Sequence, residues 1–213
     1  MAIKRALTIQ NILDKKYDLF DFEDEWFDAF DKPEKTGVWF IWGNSGNGKT
    51  SFTLKLMEHL SRFEHIVFNS REEGTKHTLK KSLVKFNMQD DKNKIHVVDE
   101  NMEVFTKRLN LKKSAKIAVI DSYQTTQMTF NDYLKFKEQF PKKLIIFISQ
   151  ASGRKPTGRP AESVMYDASL KIWVEGYKAF SKGRYIGTKG NYTIWPEKAF
   201  DYWGEHKKVL SQI

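Results

Sequence analysis

"WFIWGNSGNGKTSF", residues 39–52, opens as a buried strand and closes as the start of a helix. Trp39 to Trp42 are uniformly apolar, the next six residues carry three glycines, and Lys49, Thr50 and Ser51 follow. Gly43-Asn44-Ser45-Gly46-Asn47-Gly48-Lys49-Thr50 fits the pattern G-x-x-x-x-G-K-[ST]. Glycine lets backbone N–H groups converge on a phosphate with no Cβ in the way. The N-terminus of the following helix adds partial positive charge. A lysine placed as Lys49 is can reach the β- and γ-phosphates of a nucleoside triphosphate, and a hydroxyl placed as that of Thr50 can ligate Mg²⁺. Residues Gly43 to Ser51 are therefore the expected nucleotide site, for ATP and Mg²⁺. The plainer reading is a glycine-rich turn beside an exposed lysine. The apolar strand before the loop and the helix after it, with Phe52, Leu56 and Leu60 at four-residue spacing, favour the phosphate.

On either side of this segment, apolar runs alternate with helical patterns. Val38–Trp42, "HIVFN" (65–69), "KIHVV" (94–98), "KIAVID" (116–121) and "LIIFIS" (144–149) read as strands. Between them, helices are expected from about Lys49 to Arg62, over "TKHTLKKSLVKF" (75–86), from Asp99 towards Leu111, and over "FNDYLKFKEQF" (130–140), where Pro141 stops the chain. "LKIWVEGY", "RYIG" and "NYTIW" then read as β-ribbons joined by glycine-rich turns. This order predicts an α/β fold: a mostly parallel sheet flanked by helices, with a C-terminal antiparallel extension. Residues 1–35 are mostly polar with irregularly spaced aromatics (Phe20, Phe22, Trp26, Phe27, Phe30), and are expected to form an N-terminal arm or helical segment before a domain spanning 36–213.

Composition bounds the chemistry. A length of 213 residues suits one α/β domain. The net charge of +9 fits a lysine-rich solvated surface or an anionic partner, nucleic acid being the commonest. Without cysteine there are no disulfides and no thiolate metal sites, which suits a cytoplasmic setting. The five histidines lack ligand spacing. "VWFIW" and "LIIFI" are too short to span a bilayer, so no membrane partner is expected. The N-terminus begins basic, but Thr8, Gln10 and Asn11 interrupt its apolar stretch, which argues against a signal peptide.

A magnesium site beside a phosphate loop needs a carboxylate at a neighbouring strand end, and Asp121 closes "KIAVID" in that position. Hydrolysis needs a group that positions or deprotonates water. Glu72 and Glu73, just past the second strand in "FNSREEG", are the candidates, against the alternative of two solvent-facing acids in a turn.

The phosphate loop, "VFNSREEG" (67–74) and "AVIDSYQT" (118–125), in this order, resemble the RecA-type ATPase core, nearest the RadA/Sms branch and similar also to DnaB-type helicases and KaiC. The resemblance spans about residues 36–196 and includes "FISQASGRKPTGRPAESVMYDASLKIWVEG" (147–176). It implies that Gln150 is the polar sensor of the γ-phosphate and that residues 151–163 form the loop that touches DNA in the recombinases. "KGRYIG" (182–187) resembles the finger element of these families, with one extra residue before its last glycine. It implies that Lys182 and Arg184 reach the γ-phosphate of a neighbouring subunit, with ATP held between identical subunits of a ring or filament. The chain lacks the zinc-binding and protease-like parts of RadA, and a free-standing core of this kind suits a phage or mobile element.

Arg154, Lys155 and Arg159 stand among glycines and prolines in "ASGRKPTGRPAES", either as an ordinary exposed loop or as phosphate-seeking cations for DNA, single-stranded DNA being favoured. Tyr123, Tyr166 and Tyr177 offer stacking surfaces but read as core or rim. The expected function is a DNA-acting ATPase in replication or recombination. The alternatives are an ATP-gated assembly or loader protein and, further off, a small-molecule phosphotransferase.

Overall fold

Strands that are apolar on both faces need helices on both sides. The computed structural model of the chain, which describes residues 5–88 and 94–204, supplies them. The outer limits of the expected arm and domain, residues 1–4 and 205–213, lie outside the described residues. Two short helices, α1 (Ile9–Leu13) and α2 (Asp24–Phe30), precede β1 (Gly37–Gly43). Then come α3 (Lys49–Ser61), β2 (Ile66–Ser70), α4 (His77–Lys85), β3 (Ile95–Val98), α5 (Met102–Leu109) and β4 (Ile117–Asp121). After a short α6 (Tyr123–Thr126) and α7 (Phe130–Gln139), β5 (Leu144–Ser152) folds back through β6 (Lys155–Pro156) into α8 (Arg159–Asp167). The chain closes with β7 (Leu170–Glu175), β8 (Lys178–Ser181), β9 (Asn191–Thr193) and α9 (Pro196–Trp203).

The strands lie in the order β3-β2-β4-β5-β1-β7-β8-β9, with β6 paired to β5. From β3 to β7 every neighbour is parallel, and β8 and β9 are antiparallel. One expectation differs. "RYIG" is a loop, and the ribbon strand before it is Lys178–Ser181. The Lys182 and Arg184 N–H groups still follow β7, donating to the Lys171 and Ser169 carbonyls at 2.8 and 3.3 Å. Beyond them the chain leaves the sheet for α2, where the Gly187 N–H donates to the Ala29 carbonyl at 3.4 Å and a Cβ on Gly187 would lie 1.9 Å from the Phe27 carbonyl oxygen.

Side chains alternate across the sheet, as strand geometry requires. On one face, Trp39 and Ile41 pack with Phe52, Leu56 and the N-terminal aromatics. On the other, Phe40 and Trp42 pack with Tyr133, Phe136 and Phe147. Phe20, Phe22 and Phe30 are fully buried, so the irregular aromatic spacing before residue 35 fills the core beneath α3. Each such side chain contributes about 1.5–3 kcal/mol of transfer free energy. Among the described residues no helix is long and apolar enough to cross a membrane.

Parallel register sets the functional edge. Gly43 stands beside Gln150, Ser70 beside Asp121, and Asp121 beside Ile148. The C-terminal ends of β1, β2, β4 and β5 therefore converge on one rim, where parallel α/β sheets bind ligands.

Candidate active site

The glycines of the loop do different work. A Cβ on Gly43 would lie 2.2 Å from the Val174 carbonyl oxygen, so this glycine admits β7 beside β1. Gly46 and Gly48 have φ of +79° and +98°, the left-handed region that turns the loop into α3. Lys49, Thr50 and Ser51 occupy the first turn of that helix, and the Lys49 ammonium donates to the Asn44 carbonyl at 3.2 Å. Two asparagines tie the loop to its surroundings. The Asn44 amide donates to the Gly153 carbonyl at 3.1 Å, and the Asn47 side-chain oxygen accepts from the Gly176 N–H at 2.8 Å.

A cavity of about 540 Å³ opens over the loop, within the range of small-molecule sites. It brings together Lys49, Thr50, Ser51, Glu72, Glu73, Asp121 and Gln150. The backbone N–H groups of Arg71 and Glu72 donate to the Asp121 carbonyl at 2.8 and 3.2 Å, which holds the acidic turn against the end of β4. The Gln150 amide donates to Glu72 Oε1 at 3.3 Å, so the strand end read as a sensor touches the acid read as the water-handling group. Gln124, to which the sequence reading gave no role, accepts from the Gln150 N–H and donates to Ser149 Oγ at 2.8 Å and the Thr157 carbonyl at 2.9 Å. Its position in the "DSYQT" run was the available signal.

Burial, with Glu72 and Glu73 adding repulsion, pushes the Asp121 carboxyl up to about 7, against the pull of Lys49. Burial lowers Lys49 from its ordinary value, opposed by Asp121 and Glu72. One carboxylate oxygen of Glu73 and the Ser122 hydroxyl are buried without a hydrogen-bond partner. Three acids thus face one ammonium, a surplus of negative charge that a divalent cation relieves. Among the described residues no group of three or more His, Cys, Asp or Glu forms a cage for a metal. Mg²⁺ takes one or two protein ligands and completes its shell with phosphate and water. Thr50 and Asp121 fit this role.

The far end of the same cavity is aromatic and cationic, lined by Tyr177, Trp195, Lys85 and Lys198. In the sequence Tyr177 reads as core or rim, and nothing marks Lys85, Trp195 or Lys198. They come from separate stretches, and no local pattern brings α4 to the start of α9.

Solved structures share this architecture. Flagellar accessory protein FlaH of Methanocaldococcus jannaschii is similar over 83% of this chain and 92% of its own, with TM-score 0.61 and 14% identity. A KaiC-like protein of the hyperthermophilic archaeon Pyrococcus horikoshii is similar over 75% of this chain and 89% of its own, with TM-score 0.54 and 21% identity. The chain shares the fold of these two proteins. No protein-family model and no curated protein matches it in sequence.

On this fold, the remaining sequence candidates stand outside the phosphate cavity. Lys182 lines a separate cavity with Trp42, Trp173 and Trp203, its ammonium 5.8 Å from the Phe180 ring. The Arg184 N–H donates to the Ser169 carbonyl at 3.3 Å, at the N-terminal ends of the strands, and the side chain shares a cavity with Asp167 and Lys137. Neither residue belongs to the phosphate cavity of its own chain. Arg154, Lys155 and Arg159 are exposed. They stand on the β5–β6 hairpin and the first turn of α8, where the sequence reads as an exposed loop. Lys155 is paired with Glu162 at 2.7 Å. Tyr123 is buried and donates to the Met128 carbonyl, whereas Tyr166 is exposed.

Proposed function

We propose that the chain binds Mg·ATP and hydrolyses it, in an assembly of identical subunits that acts on DNA in replication or recombination. The observation that carries the ATPase reading is the meeting of Lys49 and Thr50 with Glu72, Glu73, Asp121 and Gln150 in one cavity. In this reading the loop N–H groups and the α3 N-terminus bind the phosphates, and the Lys49 ammonium turns from the Asn44 carbonyl to the β- and γ-oxygens. Glu72, with Glu73 behind it, takes a proton from water as the water oxygen bonds to the γ-phosphorus. The bond from that phosphorus to the β–γ bridging oxygen breaks, leaving ADP and phosphate. Thr50 and Asp121 would hold Mg²⁺, which would supply neutralisation of the phosphate oxygens. Gln150 reports the γ-phosphate through Gln124 to Thr157, which leads into the basic helix start.

The net charge and the exposed Arg154, Lys155 and Arg159 support DNA as partner. The finger element fits a shared site because Arg184 lies at the opposite edge of the sheet from its own phosphate loop, so it would serve a neighbour. A second reading, an ATP-gated assembly protein, draws support from the fold likeness to an accessory protein of flagella.

The test is ATP turnover with and without single-stranded DNA. Stimulation is expected, and neutralising Arg154, Lys155 and Arg159 should lower the slope of log affinity against log salt by about 0.7 per lost phosphate contact. Turnover indifferent to DNA, with ATP-dependent self-association retained, would favour the assembly reading.

A further inference from the structure

The sheet order divides the cavity by chemistry. Glu72, Asp121 and Gln150 stand at the ends of β2, β4 and β5, on one side of β1. On the other side lie β7, β8 and β9, and there the cavity ends against Tyr177, Trp195 and Lys198, with Lys85 reaching the Trp195 ring from α4. ATP hydrolysis uses the first side and gives the second no task. We infer that Trp195 and Tyr177 are the platform on which the nucleobase of the bound nucleotide stacks, with Lys85 and Lys198 completing it. This rests on the nucleoside-triphosphate reading above and adds where the base goes and what holds it.

Direction comes first. With the phosphates on the loop and the γ-phosphate towards Glu72, the ribose and base must extend away from the acids, which is towards the ribbon. Ring chemistry comes second. Trp195 is only half-buried, and the Tyr177 and Trp195 rings stand 6.2 Å apart at 75°. The Lys198 and Lys85 ammonium groups lie 4.5 and 4.7 Å from the Trp195 ring centre. A planar base can replace one ammonium on a ring face, while the displaced lysine donates to acceptors of the base or ribose.

Backbone conformation comes third. Gly176 and Tyr177 have φ of +52° and +59°, the pair of positive values found in tight two-residue hairpin turns, where Asn and Gly are the usual occupants. A bulky aromatic in that conformation is an outlier. It is held there by its N–H, which donates to the Asn47 carbonyl at 3.2 Å, and by its carbonyl, which accepts from the Ile194 N–H at 2.8 Å. The ring lies against Gly48, where an added Cβ would meet it at 3.2 Å. An aromatic kept in a strained turn, pressed on the phosphate loop, points to a need for the ring itself.

The test compares two ligands that share the phosphates and differ in the base: Mg·ATP and Mg·tripolyphosphate, titrated into the wild type, Trp195→Ala and Trp195→Phe. Trp195→Ala should weaken ATP by about 5- to 150-fold, the range for loss of one base–aromatic stack. It should leave tripolyphosphate within about twofold, and Trp195→Phe should recover ATP. Equal losses for both ligands would show that Trp195 acts only by holding the loop, and an unchanged ATP affinity would show that nothing stacks there. Either overturns the platform. If the wild type binds tripolyphosphate as tightly as ATP, the platform alone fails. If it binds neither, the triphosphate reading fails and takes the platform with it.

Discussion

On one side of β1 the phosphate cavity is walled by the ends of buried parallel strands, and on the other by a hairpin turn and the start of a helix. In the first wall, register fixes each functional atom: Ser70 beside Asp121, Gly43 beside Gln150, with backbone N–H groups of the acidic turn bonded to the Asp121 carbonyl. In the second, Tyr177 and Trp195 come from the ribbon and Lys85 from across the cavity, and they meet through ring contacts. The contrast matches the tasks proposed for each wall. Proton transfer and phosphoryl transfer need atoms held within tenths of an ångström, whereas stacking tolerates sliding.

The largest effect that would sharpen this division is chemical. Glu72→Gln combined with Glu73→Gln should lower kcat by about 10²–10⁴, the usual contribution of a general base, with Mg·ATP affinity kept. A double variant with ordinary turnover would break the comparison, because the acid wall would then carry no chemistry. A smaller effect separates the glycines. Gly43→Ala drives a methyl into the Val174 carbonyl and should cost about 1–3 kcal/mol of stability in urea unfolding. Gly46→Ala meets nothing within 4 Å, so its cost of about 1–2 kcal/mol arises from its left-handed φ. Its effect should fall more heavily on nucleotide binding than on unfolding.

The smallest prediction concerns how the ribbon wall is anchored. His59, on α3, stacks on Trp26 at 4.5 Å, and Trp26 stacks on Tyr192 of β9 at 4.4 Å. Burial, reinforced by Arg62, holds His59 down to about 4. The folded state therefore binds its proton later than the unfolded chain does, near 6.5. This contribution to stability is complete above that value and is lost as pH falls from about 6.5 towards about 4. The His59 contribution to unfolding free energy should drop by about 1–2 kcal/mol between pH 7 and pH 5; the raised Asp121 carboxyl acts in the opposite direction over this range, so the drop is read as the difference between the wild-type and His59→Phe profiles. An equally steep pH profile in the variant would assign the loss elsewhere.

The two walls also differ in how far the sequence reveals them. The strands of the parallel core, the phosphate loop and the acidic strand ends are legible because each is a local pattern: an apolar run, then a polar residue with a chemical reason to be there. The packing task of Gly43 is not local, because Val174 approaches from a strand far along the chain. Residues 20–30 carry no clean helical period, since their aromatics fill a core already framed by α3 and β1. "RYIG" alternates like a strand, but Gly187 seats the chain against the backbone of α2. The aromatic wall needs α4, the β7–β8 turn and the start of α9 to meet, and no stretch of sequence records that meeting.

The central claim is that this cavity exists to hold a nucleoside triphosphate by its phosphates. Calorimetric titration of Mg·ATP into the wild type and Lys49→Ala tests it most directly. The wild type should bind one nucleotide per chain, and Lys49→Ala should lose productive binding and turnover together, because the loop loses the side-chain cation aimed at the γ-phosphate. Wild-type affinity and turnover in Lys49→Ala would contradict the account.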